Sequence, residues 1–185
     1  LYSSCLYGYI VSYTVESSGV ATLSSFLEIG AGLTGSAINQ SGNIMYTLDI
    51  NNNRVLMFAI DQESGGLTQL STEQPISTQN TPLTIILTKA NKFAYVTNLY
   101  DNSISMYNID KESGTLVALS PESTVTTQDT PWSIALDPSE KFAYAVNSDS
   151  GTISAYSINQ VTGKLTSLAE SSVITGKGSR FIQFN

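Results

Sequence analysis

The sequence contains no histidine and only one cysteine, and these two shortages exclude several kinds of functional site. Without histidine there is no Ser-His-Asp or Cys-His nucleophile system, no histidine zinc site, and no imidazole general base. A single cysteine, Cys5, forms neither an intrachain disulfide nor a multi-cysteine metal site. No apolar run approaches the ~18 residues needed for a membrane-spanning helix.

Cys5 follows the small residues Ser3 and Ser4, as the modified cysteine of a bacterial lipoprotein does. Lipid attachment there would remove residues 1–4, and no apolar signal core precedes them. The pattern therefore favours a buried or half-buried structural thiol over a lipidated one.

Charged residues are also scarce, at 12% of the 185 residues, about half of the usual ~25%. The net charge of −7 leaves few cations for phosphates, which argues against nucleic acid as a partner. An apolar fraction of 41% with ten tyrosines argues for a buried core and against disorder. An acidic surface rich in Ser, Thr and Asn predicts an exported bacterial protein, extracellular, periplasmic or at the cell surface.

A tandem repeat organises the whole chain. Tyr46, Tyr95 and Tyr144 recur at intervals of 49 residues, and so do Gly65, Gly114 and Gly163. A further column contains Phe58, Tyr107 and Tyr156, preceded by Tyr13 in an incomplete first copy.

Each repeat is predicted to form four short strands. In the best-defined copy, 84–88 is a continuous apolar run, 93–97 is rich in aromatic and β-branched residues, and 103–109 alternates with period two. A fourth strand starts at Leu116, after a turn that contains Gly114. Four antiparallel strands per repeat predict an all-β protein, a β-propeller of about four blades. Parallel β-helix units are much shorter, kelch blades have paired glycines, and WD blades rely on His and Trp-Asp.

The motif Tyr95-Val96-Thr97-Asn98 resembles the YVTN signature, and 137–165 resembles blades of lactonase-type propellers. That family includes 6-phosphogluconolactonase-like proteins, and the resemblance covers essentially the whole chain. It implies a seven-bladed ring, and a lactonase activity that uses His, Arg and Glu in the central channel.

The number of blades in the native ring stays open between two architectures. We divide the single domain, 1–185, into blades 181–185 plus 1–32, 33–82, 83–131 and 132–180. Because 181–185 align with an inner first strand and 1–32 supply strands two to four, pairing of the ends would close a four-bladed ring. The resemblance instead implies a slice of a seven-bladed ring. Self-association of two copies into a larger ring is a third arrangement.

Polar residues repeat at the end of the second strand, where propellers bind ligands near the channel. Asp49, Asn98 and Asn147 share this position, and we interpret them as turn caps rather than as a binding ring. The repeated pairs Thr78-Gln79 and Thr127-Gln128 receive the same interpretation.

Few residues remain as candidates for chemistry. Arg54 is predicted to be a solvated surface charge, whereas Arg180 precedes an inner strand and is a candidate for the channel. The carboxylate pairs Asp61/Glu63 and Asp110/Glu112 fall in a turn away from the channel. We therefore assign no catalytic, cofactor-binding or metal-binding residue and expect no cofactor.

The sequence favours a propeller-type binding or scaffold module that is not by itself a competent lactonase. Its expected partner is a protein or a carbohydrate-like ligand at the channel face. The alternative is a lactone hydrolase whose missing blades supply the catalytic residues.

Overall fold

The computed structural model describes residues 1–30, 32–70, 76–168 and 173–184, and the regular elements in them are all β-strands. These strands form four antiparallel sheets, which we number as blades one to four in chain order. No helix able to span a membrane occurs in the described part of the chain.

The strand bounds follow the repeat. Blade one contains β1 (Tyr2–Cys5), β2 (Tyr9–Val15) and β3 (Ala21–Glu28). Blade two contains β4 (Leu33–Ile38), β5 (Ile44–Asp49), β6 (Arg54–Ile60), β7 (Leu67–Gln69) and β8 (Ile76–Ser77). Blade three contains β9 (Pro82–Leu87), β10 (Phe93–Asn98), β11 (Ser103–Ile109), β12 (Leu116–Ala118) and β13 (Thr124–Thr126). Blade four contains β14 (Pro131–Leu136), β15 (Phe142–Asn147), β16 (Thr152–Ile158), β17 (Leu165–Ser167) and β18 (Val173–Ile174).

In blades two to four the strands lie in chain order, and the fourth, outermost strand consists of two short pieces. Both pieces pair with the same third strand; in blade three, β12 and β13 both pair with β11. Pro121 lies in the break between these pieces, and proline has no N–H to donate to the neighbouring strand. The predicted four-stranded blade is confirmed, with an outer strand that is interrupted.

The core lies between the blades, because blades two and three each bury one face against the sheet before and the other against the sheet after. Tyr46 and Leu48 of blade two pack with Val96 and Tyr107 of blade three. Equivalent clusters join blades three and four and blades one and two. The first strands β4, β9 and β14 contact one another in turn, so they lie innermost.

Tyrosine hydroxyls join the blades at two levels. The second-strand hydroxyl of Tyr46 donates to the carbonyl of Gly114 in the next blade at 2.7 Å, and Tyr95 repeats the contact with Gly163 at 2.8 Å. The third-strand hydroxyl of Tyr107 donates to the outer strand of the preceding blade, at Ser77 O, over 2.6 Å. Burial raises the pKa of Tyr46 and of Tyr107 to about 12, so these hydroxyls keep the protons that they donate.

Tyr2 is a member of the second-strand tyrosine column that the 49-residue spacing did not reveal. It pairs with Ser12, ten residues on, whereas Tyr46 pairs with Met57, eleven residues on. Its hydroxyl donates to the carbonyl of Gly65 at 2.8 Å, as Tyr46 does to Gly114. Tyr2 lies 44 residues before Tyr46 rather than 49, because the first hairpin is one residue shorter and the stretch from β2 to β4 is four residues shorter than the stretch from β6 to β9.

Of the architectures that the sequence left open, the closed four-bladed ring is not the one that the described residues form. Residues 181–184 form no strand, and β1 has β2 as its sheet neighbour with no described strand on its inner side. Instead, Phe184 packs on Tyr144 of blade four, with 5.4 Å between ring centroids. The four blades form an open arc, a partial propeller.

Candidate ligand-binding face

One end of the arc carries two sets of loops, which we call the loop face. It contains the second-to-third strand hairpins, 49–54, 98–103 and 147–152, and the connections from one blade to the next, 78–82 and 127–131. Backbone bonds join the two sets: Thr78 N donates to Asn53 O at 2.9 Å, and Thr127 N to Asn102 O at 2.8 Å. The loop face is thus tied to the blades at repeated positions.

The side chains of Asp49, Asn98 and Asn147 are completely buried at this face. Asp49 Oδ1 accepts from Asn51 N at 3.1 Å and from Asn52 N at 3.2 Å, which confirms the predicted turn cap in blade two.

In the later blades the same position joins strands rather than capping the turn backbone. Asn98 Nδ2 donates to the hydroxyls of Ser103 at 3.1 Å and Ser105 at 2.9 Å. Asn147 does the same with Thr152 and Ser154, at 3.2 and 2.9 Å. These residues hold the second and third strands together. Asn98 Oδ1 also accepts from Gln79 N at 3.3 Å, whereas the buried Asn147 Oδ1 has no partner among the described residues.

Arg54 is not the solvated surface charge that was predicted. Its Nε donates to Asp49 Oδ2 at 2.8 Å, and the carboxylate is fully buried while the arginine side chain is 39% exposed. Because blade two has Asp where the later blades have Asn, a cation takes the place of the facing hydroxyl at 103 or 152. The sequence did not reveal this ion pair, because Asp49 and Arg54 lie opposite one another only when the hairpin forms.

The Asp49–Arg54 pair leads to a prediction about replacing it with the residues at the same positions in another blade. Arg54→Ser is expected to lower the free energy of unfolding by about 1–3 kcal/mol, because it leaves a buried carboxylate without its cation. The double variant Asp49→Asn, Arg54→Ser copies the pair of Asn98 and Ser103. Because Leu56 stands where Ser105 gives Asn98 a second hydroxyl, the double variant is expected to recover part of that loss. Urea unfolding of the three proteins measures the difference. A double variant no more stable than the single one would contradict the interpretation.

The connections between blades are held in strained backbone conformations. Thr81 and Thr130 both have positive φ, 59° and 57°, which is uncommon for a β-branched residue. Their N–H groups donate to the side-chain oxygens of Asn53 and Asn102 at 3.0 and 2.9 Å. The surrounding hydrogen bonds maintain the conformation.

The repeated Thr-Gln pairs also have a structural role. Thr78 Oγ1 donates to Gln79 O at 2.9 Å, and Thr127 Oγ1 donates to Gln128 O at 2.7 Å. The interpretation of these pairs as turn-forming residues is confirmed.

The carboxylate pairs lie in the hairpins between third and fourth strands, away from the loop face, as predicted. Asp61 accepts from Ser64 Oγ at 2.6 Å and Ser64 N at 2.7 Å, and these bonds lower its pKa. Asp110 accepts from Ser113 N at 2.8 Å and Ser113 Oγ at 2.7 Å, with the same effect on its pKa. These exposed aspartates are ionised turn caps.

The two residues best placed for a ligand are Trp132 and Arg180. Trp132 lies on the innermost strand of blade four, at an irregularity where the register between Pro131 and Ser133 shifts. The guanidinium carbon of Arg180 lies 4.3 Å from the Trp132 ring centroid, within the range of a cation–π contact. Trp132 is half-buried and Arg180 is exposed.

The sequence identified Arg180 as a channel candidate but did not connect it with Trp132. A signal was present, since Trp132 is the chain's one tryptophan and aligns with Leu83 of the preceding repeat. Tryptophan at this position distinguishes the fourth blade from the third, which has Leu83 there.

Metal-ligating clusters are absent from the described ranges, where no three of His, Cys, Asp and Glu come together. Cys5 ends β1 as a half-buried free thiol.

Comparison with known families establishes the family relationship that the YVTN motif indicated. Residues 8–183 match the family profile described as "Lactonase, 7-bladed beta-propeller". The chain belongs to this family. No curated protein matches it.

Solved structures of lactonase-type proteins share the fold. A candidate 6-phosphogluconolactonase from Bacteroides fragilis superposes with a TM-score of 0.82 at 20% identity, over 96% of this chain and 55% of that chain. A candidate 6-phosphogluconolactonase from Bacteroides uniformis gives 0.81 at 16% identity, over 96% and 55%. The periplasmic gluconolactonase of Pseudomonas aeruginosa gives 0.78 at 17% identity, over 95% and 50%.

The chain therefore spans about half the length of these structures. The open arc of four sheets is part of a seven-bladed lactonase-family propeller, the second of the two architectures predicted. In such an arc the innermost strands face the ring centre, and Trp132 and Arg180 lie at that inner edge.

Proposed function

We propose that this chain is a ligand-binding module of the lactonase-type propeller and that it binds a carbohydrate-like ligand carrying an anionic group. The contact between Arg180 and Trp132, 4.3 Å from guanidinium carbon to ring centroid, is the observation that carries the proposal.

The chemistry of the pair suits an anionic sugar derivative. A guanidinium stacked on an indole keeps its N–H edge available for two parallel hydrogen bonds to a carboxylate or phosphate. The exposed indole surface offers an apolar platform for the C–H groups of a sugar ring.

The two arginines of the chain differ in a way that supports this assignment. Arg54 is neutralised by the buried Asp49 carboxylate, whereas Arg180 has no carboxylate partner among the described residues. In a chain of net charge −7, such a cation beside an aromatic ring attracts an anion locally.

Lactone hydrolysis is the second candidate, and the family membership favours it. The reaction needs a base to activate water and a donor or cation for the developing oxyanion. This chain has no histidine, and Asp49 at the loop face is already bonded to Arg54. Under this alternative, the further blades of a longer propeller supply the base and Arg180 holds the substrate.

Because Trp132 is the only tryptophan, its fluorescence reports directly on the proposed site. Titration with 6-phosphogluconate or gluconate is expected to change the emission, and glucose is expected to have much less effect. Arg180→Gln should weaken the anion affinity about tenfold, corresponding to ~1.4 kcal/mol. Lys177→Gln is the matched control, because it removes an exposed positive charge three residues before Arg180 in the sequence. Equal loss in both variants would mean that general charge, and not the Arg180–Trp132 pair, binds the anion.

A hydrolysis assay separates the two candidates. The chain is expected to open gluconolactone no faster than buffer does. Turnover above the spontaneous rate, lost in Arg180→Gln, would establish the enzyme and overturn the binding-only proposal.

We also propose that the protein is exported. The low charged fraction of 12% supports this location, and so does the likeness to a periplasmic gluconolactonase. Fractionation of the source cells tests it, and recovery in the cytosol alone would contradict it.

A further inference from the structure

A surface cavity of about 430 Å³ lies between blades three and four, away from the loop face. One wall is the break in the outer strand of blade three, between β12 and β13, and the other is the hairpin that joins β16 to β17. Small-molecule sites have volumes of roughly 300–1,000 Å³. Both walls belong to neighbouring blades inside the arc, so the cavity does not depend on what adjoins blades one and four in a longer propeller.

The hairpin of blade four departs from the repeat at this cavity. Blades two and three have Glu63 and Glu112 at the position of Val161, and blade three has Thr115 at the position of Lys164. Blade four thus presents an apolar side chain, 87% exposed, in place of a carboxylate, together with an additional cation. Residues that build the blades repeat, so these two exceptions indicate a role particular to this interface.

The base of the cavity is apolar. Leu119 is 7% exposed and belongs to the core cluster that joins blades three and four. Pro121 lies on one wall and Val161 on the other. An aliphatic group that enters between these side chains is removed from water, which favours its binding.

The polar groups of the cavity carry both signs of charge. Lys164 Nζ lies 2.7 Å from Glu122 Oε2, and the two side chains are 47% and 61% exposed. An ammonium has three N–H groups and a carboxylate has two oxygens, so each partner can bind a further group. The side-chain amide of Asn108 also lines the cavity, and it has no hydrogen bond to any described residue.

The ion pair restricts the kind of ligand that suits the cavity. A simple anion is attracted by Lys164 and repelled by the adjacent Glu122, and a simple cation meets the reverse. A zwitterion can place its carboxylate at Lys164 and its ammonium at Glu122, so that the four charges alternate in sign. An apolar substituent on the same molecule then faces the base of the cavity.

We propose that this cavity binds a free α-amino acid with an aliphatic side chain. The ligand carboxylate accepts hydrogen bonds from Lys164 Nζ, its ammonium donates to Glu122, and its side chain packs against the apolar base. The site is separate from the Arg180–Trp132 pair and does not depend on the ligand proposed there.

Isothermal titration calorimetry with L-leucine tests the proposal. Binding should be saturable, and about tenfold weaker for N-acetyl-leucine, which lacks the ammonium, and for leucinamide, which lacks the carboxylate. The fluorescence of Trp132 should not change on addition of leucine. A change there would place leucine at the Arg180–Trp132 pair and overturn the proposal. Lack of binding at millimolar leucine would also overturn it, as would glucose binding as tightly as leucine.

Two variants that copy other blades locate the binding. Val161→Glu and Lys164→Thr each introduce a side chain that already occurs at that position of the repeat, so the circular dichroism spectrum should stay of the β type. Each should weaken leucine binding about tenfold. Lys111→Gln, which removes an exposed cation from the corresponding hairpin of blade three, is the matched control and should bind as the parent protein does. Full affinity in either cavity variant, or an equal loss in Lys111→Gln, would refute the assignment.

Discussion

Replacing Tyr95 with alanine is expected to lower the free energy of unfolding by about 3–5 kcal/mol. The side chain is fully buried between blades three and four, and its hydroxyl donates to Gly163 O at 2.8 Å. Truncation leaves a cavity at the interface and an acceptor without its donor. Chemical unfolding followed by circular dichroism measures the loss.

Tyr144→Ala is the matched control, because Tyr144 occupies the same position one repeat later. It is half-buried and contacts Phe184 instead of another blade. The cost there should be well below that of Tyr95→Ala. Equal costs would mean that position in the repeat, and not burial between two blades, determines the stability contribution.

Gly163→Ala is expected to have the second largest effect, a loss of about 2–5 kcal/mol of stability. Gly163 has a φ of +74°, and a Cβ there would lie 2.3 to 2.7 Å from three ring carbons of Phe93. The positive φ costs about 1–2 kcal/mol for an L-residue, and overpacking a core adds about 1–3 kcal/mol. The same unfolding measurement applies.

Gly178→Ala separates the cost of the positive φ from the cost of the contact with Phe93. Its φ is +85°, but a Cβ at this position meets nothing within 4 Å. It should lose about 1–2 kcal/mol, the conformational cost alone. A Gly178→Ala loss as large as that of Gly163→Ala would refute the role assigned to the Phe93 contact.

Both predictions concern the contact between Tyr95 and Gly163. This contact explains why the tyrosine column and the glycine column recur at the same interval of 49 residues. The glycine is needed because its backbone passes against the Phe93 ring, and its carbonyl then lies where the tyrosine hydroxyl ends. A repeat that has both residues can therefore make this contact with the repeat on each side. The first and last blades each have one neighbouring blade among the described residues, so each makes this contact on one side only.

Most of the fold was readable from the sequence because a propeller repeats its local chemistry. Spacing of tyrosines and glycines located the blades, and alternation of polar and apolar residues located the third strands, such as β11. Tyr2 was missed because a shorter hairpin and a shorter passage from β2 to β4 change the spacing without changing the strand pairing.

The candidate site was less predictable, because its members do not repeat. Arg54 looked like a surface charge until the hairpin placed it opposite a buried carboxylate. Arg180 and Trp132 are far apart in sequence, and no periodicity connects them. Non-repeating contacts depend on distances that only a folded chain defines.

The sequence by itself determined the all-β architecture and the four-stranded blade, since these follow from local periodicity and composition. Only the tertiary structure decided that the four sheets form an open arc, that Arg54 neutralises Asp49 and that Arg180 lies over Trp132. The physical reason is that curvature and side-chain approach are set by how the sheets pack on one another. Identical blade-to-blade contacts are compatible with a closed ring or an open arc, and the angle at each interface decides between them.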